Sequence, residues 1–116
     1  MTTAPSSRDL AHPARDEIRL EEVLHALADP IRLRVVRELL AAPGELTCSA
    51  IELPVTKSTV THHYRVLREC GVIRQTYRGT AKMSRVRSED LDDLFPGLLD
   101  CVLAAASRQA VRLGGG

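Results

Sequence analysis

The chain has 116 residues, 44% of them apolar and 27% charged, with a formal net charge of +1. That length and balance fit one soluble domain with a modest core, and no apolar run is long enough to span a bilayer, so the cytoplasm is the expected compartment. Three cysteines, Cys48, Cys70 and Cys101, are too few and too far apart for a disulfide framework or a zinc finger. The net charge hides an uneven distribution. Between Lys57 and Arg87 eight basic residues stand against Glu69 alone, a local charge of +7 in a chain whose remainder is acidic. A basic block of this kind points to an anionic partner.

In chain order, residues 1–15 carry Pro5, Ser6, Ser7 and Pro13 as breakers and no apolar signal core, and read as a disordered tail. The domain then spans 16–113, and the glycines at 114–116 are expected to fray. Ile18, Val23, Leu24 and Leu27 predict a helix over 16–28. Asp29-Pro30 predicts a new start, Asp as cap and Pro in the first turn. The stripe Ile31, Val35, Val36, Leu39 and Leu40 follows, with Arg32, Arg37 and Glu38 facing away and Pro43-Gly44 ending the helix. Thr47 can cap a short third helix through Leu53, which Pro54 stops. A fourth helix is expected over about 57–70, closed by Gly71. Strands over 72–77 and 82–87 flank a turn at 78–81, where Gly79 tolerates unusual backbone angles. Ser88 can cap a further helical segment that Pro96 breaks. Leu98, Leu99, Val102, Leu103, Ala105, Ala106 and Ala110 then make an unusually apolar last helix.

The fold class is therefore mainly α with a small β-hairpin, in the order of a winged helix-turn-helix. The fourth helix decides the functional reading. Val60, His63, Leu67 and Cys70 share one face, flanked by Tyr64, and Ser58, Thr61, His62 and Arg65 share the other. Short hydrogen-bonding side chains near a helix start can reach base edges, while cations hold phosphates. Ser58, Thr61 and His62 are thus the candidate base contacts. Lys57, Arg65, Arg74, Arg78 and Lys82 are the candidate backbone contacts, the last three on a basic wing spanning about 72–87. The expected partner is double-stranded DNA. RNA is disfavoured because single-strand modules expose stacking aromatics, of which this chain has few. An enzyme is disfavoured because Cys48, Cys70, His62 and His63 come with no orienting carboxylate and no phosphate-cradling glycine loop.

The stretches ALADPIRLRVVRELL (26–40) and STVTHHYRVLRECGVIRQTYRGTAKMSRV (58–86) resemble the ArsR/SmtB-type winged-helix regulators, over roughly residues 18 to 105. The resemblance implies a homodimeric repressor whose first and last helices form the subunit interface, here through Ile18, Val23, Leu27, Leu98, Leu99, Val102, Leu103 and Ala106. It also implies an effector, often a metal ion, that releases operator DNA. The family's metal signals are missing, however. The thiolate sensors carry Cys-x-Cys on the short helix, where this chain has Thr47-Cys48-Ser49. Another type places Asp and His along the last helix, where Asp100 stands alone. Several converging ligands are needed for a soft-metal site, so no metal and no cofactor is expected and the effector is left unassigned. The alternative is a thiol-redox or metal-responsive repressor of the same fold that uses Cys48 or Cys101.

Overall fold

A computed structural model describes residues 10–114. Five helices and a three-stranded sheet follow one another as α1 (Leu20–Leu27), α2 (Pro30–Ala41), β1 (Leu46–Thr47), α3 (Lys57–Glu69), β2 (Ile73–Arg78), β3 (Ala81–Val86), α4 (Ser88–Leu94) and α5 (Leu98–Arg112). The sheet is antiparallel in the order β1-β3-β2. The wing is the β2–β3 hairpin, in register from Ile73 opposite Val86 to Arg78 opposite Ala81.

The first expected helix is shorter than its apolar pattern. A 3-10 turn at Arg15–Glu17 precedes it, and Ile18 is extended so that its side chain drops into the core. There it packs on Gly71, whose missing side chain leaves the room. Helix α2 begins as its sequence dictates. Asp29 accepts from the Ile31 and Arg32 N–H groups at 2.9 and 3.0 Å, and Pro30 occupies the first turn. Its stripe differs in two places. Leu40 is exposed, and Arg32, expected outside, is 7% exposed. The Arg32 guanidinium donates to the Ala26 carbonyl at 2.7 Å and the His25 carbonyl at 3.2 Å. Both are last-turn carbonyls of α1, where helical N–H partners run out; the His25 carbonyl also accepts from the Ala28 N–H at 3.2 Å.

The expected third helix is reduced to a 3-10 turn at Cys48–Ala50. Leu46 and Thr47 are drawn instead into pairing with Ser84 and Met83 of β3, which gives the hairpin its third strand. Helix α3 ends in a Schellman motif. The Gly71 N–H donates to the Arg68 carbonyl and the Val72 N–H to the Leu67 carbonyl, with Gly71 at φ +86°. Ser88 is the first residue of α4 and not its cap; Arg87 precedes the helix without a side-chain capping bond. The core gathers Val23, Ala26 and Leu27 of α1, Val35, Val36 and Leu39 of α2, and Tyr64 and Leu67 of α3, closed by Val72, Ile73, Leu91 and Leu99.

Residues 1–9 of the expected tail, and residues 115–116, lie outside the described residues. Residues 10–15, expected to belong to that tail, are tied down. His12 accepts from the Gln75 N–H at 2.9 Å, Arg87 donates to the Pro13 carbonyl at 2.8 Å, and Arg15 pairs with Asp93.

A Cβ on Gly71 would stand 2.7 Å from Ile18 Cγ1, whereas one on Gly44 would meet nothing. Gly71→Ala should therefore lower the unfolding free energy by about 2 kcal/mol or more, from left-handed strain plus overpacking. Gly44→Ala should change it by less than about 0.5 kcal/mol. Urea denaturation of the two variants compares them directly, and equal midpoints would contradict the packing described.

Candidate nucleic-acid interface

Helix α3 forms because Thr56 caps it, accepting from the Thr59 N–H at 3.3 Å, and because its apolar positions recur every three to four residues. His63, Tyr64 and Leu67 are buried, while Val60, Val66 and Cys70 are half-buried against the core. The opposite face leaves Lys57, Ser58, Thr61, His62 and Arg65 exposed. The two faces are those expected from the sequence. On the outer face, the Thr61 hydroxyl donates to the Lys57 carbonyl at 3.1 Å. Its oxygen is then left to accept, and its methyl to make apolar contact. Arg65 Nη2 and His62 Nδ1 lie 3.4 Å apart.

The expected wing residues do not act as one group. Lys82 lies on the wing's inner face, its ammonium 5.6 Å from the centre of the Tyr77 ring. With Lys57, Thr61, Thr80, Cys48 and Ile51 it lines a cleft of about 430 Å³ between the start of α3 and the wing turn. Arg78 is held by Glu45, Nε donating to Oε1 at 2.9 Å, so its charge is partly answered within the chain. Arg74 is directly opposite Arg85 on the outer face of the hairpin, away from this cleft.

Two histidines hold the site from behind, His63 buried and His12 half-buried. His63 Nδ1 accepts from Arg32 Nη1 at 3.1 Å. Burial lowers its pKa, and the Arg32 charge lowers it further against the opposing pull of Asp29, 3.9 Å away. Burial also lowers the pKa of His12, with Arg74, Arg87 and Arg68 adding to the shift. Neither Cys48 nor Cys70 has a lowered thiol pKa. Burial raises the Cys48 thiol pKa, outweighing its bonds to Ser84 and Gln75 and the Lys82 charge, and raises that of Cys70 likewise. Cys101 is exposed and unpaired with another cysteine among the described residues. Among those residues no three His, Cys, Asp or Glu side chains converge to hold a metal ion, and no single helix is long and apolar enough to cross a membrane.

Sequence reasoning missed a buried polar cluster behind the wing. Gln75 and Ser84 are fully buried, joined by a 3.0 Å hydrogen bond from Gln75 Nε2 to Ser84 Oγ. Arg68 Nη1 donates to Gln75 Oε1 at 2.7 Å. The available signal was the alternation Ile73, Gln75, Tyr77, which places Gln75 on the inward side of a strand.

A helix with a polar, cationic outer face, braced on a core and flanked by a basic hairpin, defines a winged helix-turn-helix DNA-binding protein. Residues 27–76 match the family described as a helix-turn-helix domain. The chain is 34% identical over 113 residues to the HTH-type transcriptional regulator CmtR of Mycobacterium tuberculosis, spanning 85% of this chain and 93% of that one. It is 29% identical over 87 residues to the uncharacterized HTH-type transcriptional regulator YceK of Bacillus subtilis, spanning 73% and 86%. An ArsR-like transcriptional regulator from Rhodococcus sp. RHA1 has the same fold, with a TM-score of 0.57 at 23% identity over 81% of this chain and 88% of that one. The chain belongs to the ArsR-type family of helix-turn-helix transcriptional regulators, and it is a DNA-binding regulator.

The lowered pKa of His63 fixes a sign. An unfolded histidine takes up its proton near 6.5 and the folded one only at lower pH, so the native state binds fewer protons between those values. This stability is complete above 6.5 and is lost as pH falls through that window. His12 acts in the same direction. The urea midpoint should drop between about pH 7.5 and about pH 5.5, and less steeply in His63→Gln, which keeps a neutral acceptor for Arg32. An unchanged slope in the variant would mean that His63 does not carry the effect.

Proposed function

We propose that the protein is a repressor acting in the cytoplasm, without catalytic activity, that binds operator DNA as a homodimer. In this reading α3 lies in the major groove. Ser58, Thr61 and His62 reach base edges there, and Lys57, Arg65 and Lys82 hold phosphates. The observation that carries it is the exposed outer face of α3, which continues into the cleft shared by Lys57, Thr61 and Lys82. With its hydroxyl proton directed to Lys57, Thr61 suits a base-edge donor or a thymine methyl. Arg78 is a weaker phosphate ligand than its position at the wing tip suggests, because Glu45 competes for it. Arg74 belongs to a second phosphate contact at most, since it faces away from the cleft.

The proposed dimer face differs in part from the sequence expectation. Ile18, Val23, Leu27 and Leu99 are buried in the protomer's own core, so they support the interface from within. Exposed large apolar side chains include Leu20 and Leu24 on α1, at 44% and 43% exposure, besides Leu40 on α2 and Val111 and Leu113 at the C-terminal end of α5. Beside the α1 pair lie the partly exposed Leu98, Val102, Leu103 and Ala106 of α5. A small domain that leaves this much of two terminal helices uncovered gains burial by pairing with a second copy.

Two measurements test the reading. In sedimentation, Leu24→Asp should give a folded monomer without tight operator binding, whereas a wild-type monomer at micromolar concentration would overturn the dimer. In DNA binding across a salt series, Thr61→Ala or His62→Ala should cost about 1–3 kcal/mol on the operator and far less on scrambled duplex. Lys57→Ala or Lys82→Ala should weaken both duplexes and lower the log–log salt slope by about 0.9 for each phosphate no longer neutralised, with Arg78→Ala changing it less. If Thr61→Ala weakens both duplexes equally, Thr61 is not a base reader.

A further inference from the structure

We propose that Gln75 is the positioning residue that fixes the recognition helix at one angle to the wing, and that it thereby sets discrimination between operator and other DNA. The proposal rests on the base-reading role of α3 stated above. Gln75 is fully buried, at an inward strand position that an apolar residue would fill without needing any partner. A buried amide is tolerated only when its hydrogen bonds are met, and here each one reaches a different element. Its Oε1 accepts from Arg68 Nη1 of α3 at 2.7 Å. Its Nε2 donates to Ser84 Oγ of β3 at 3.0 Å and toward Cys48 Sγ, in the turn after β1, at 3.6 Å. Its backbone N–H, on the free edge of β2, donates to His12 at 2.9 Å.

The bond to Arg68 matters most. Arg68 Nε is buried and finds no partner among the described residues, so Gln75 is the acceptor that holds this guanidinium in place. Arg68 lies near the C-terminal end of α3, ten positions from Ser58. At about 1.5 Å per residue that is an arm of about 15 Å, so a tilt of about 5° at Arg68 moves the Ser58 end by about 1.3 Å. Base readout needs placement to about half an ångström, whereas a phosphate contact through a long, flexible side chain tolerates such a shift. Loosening the tie should therefore erode specificity before grip.

The test uses a duplex selected by the wild-type protein from a random pool, and a scrambled duplex, across a salt series. Gln75→Leu should lower the ratio of the two affinities about tenfold while leaving scrambled-duplex binding and the salt slope unchanged. Gln75→Glu, whose carboxylate can accept from Arg68 and from the Ser84 hydroxyl, should recover most of the ratio. Arg68→Met should match Gln75→Leu, and the double variant should be no worse than either. If circular dichroism shows Gln75→Leu unfolded, Gln75→Glu and Arg68→Met decide the matter. A folded Gln75→Leu that discriminates like wild type, or that weakens on both duplexes equally, overturns the proposal alone. A wild-type protein that prefers no duplex overturns the base-reading function, and this proposal with it.

Discussion

Taking a guanidinium out of water is costly unless its donors are met, and meeting those of Arg32 is what joins the first three helices. Its Nε and Nη2 close the last-turn carbonyls of α1 at Ala26 and His25, and its Nη1 reaches His63 on α3. Asp29 caps the helix that carries it and stands 3.9 Å from the same histidine. The Leu27-Ala28-Asp29-Pro30-Ile31-Arg32 turn is thus one device with several outputs. It ends one helix, starts the next and holds the third at a fixed distance. With few aromatics, the core offers mainly aliphatic contacts, which do little to choose among helix orientations. The directional bonds of Arg32 supply that choice.

The same logic operates at two points along α3. Near its middle, His63 is held by Arg32; near its C-terminal end, Arg68 is held by Gln75. The N-terminal end has no such buried polar tie among the described residues. It is capped by the Thr56 hydroxyl and otherwise shows Lys57, Ser58, Thr61 and His62 to solvent. A rod pinned at two buried points and free at its tip presents its exposed residues in one place without covering them, which suits a surface that must meet a rigid duplex.

Much of this was legible because it depends on period. The apolar and polar faces of α3 follow from three-four spacing, the strands of the wing from alternation around Gly79, and the start of α2 from Asp29-Pro30. Features set by tertiary partners were not legible. Arg32 reads as a surface residue until the carbonyls of α1 are placed against it. Thr47 reads as a helix cap until β3 offers its backbone as an alternative. On α1, Val23 and Leu24 are equally apolar neighbours, and only the packed helices decide that Val23 turns inward and Leu24 outward. Gln75 was visible only as a polar residue on the inward side of a strand. Its partners come from sequence positions as distant as His12 and Cys48.

Charge counting needs the same correction. The basic segment looks like eight cations available to DNA, yet three are engaged inside the protomer. Arg68 is bonded to Gln75, Arg78 to Glu45, and Arg87 to Asp90 and the Pro13 carbonyl. Arg74 and Arg85 face each other on the outer side of the hairpin, leaving Lys57, Arg65 and Lys82 beside the readout face. Each phosphate neutralised contributes about 0.9 to the salt slope, so under the proposed function one protomer is expected to grip non-specific DNA less strongly than its nominal charge suggests. Tight binding then has to come from base contacts or from a second recognition helix on a neighbouring half-site. The exposed Leu20–Leu24 face and α5 are where a second copy would bring that helix, and this makes the proposed subunit interface part of the DNA-binding mechanism.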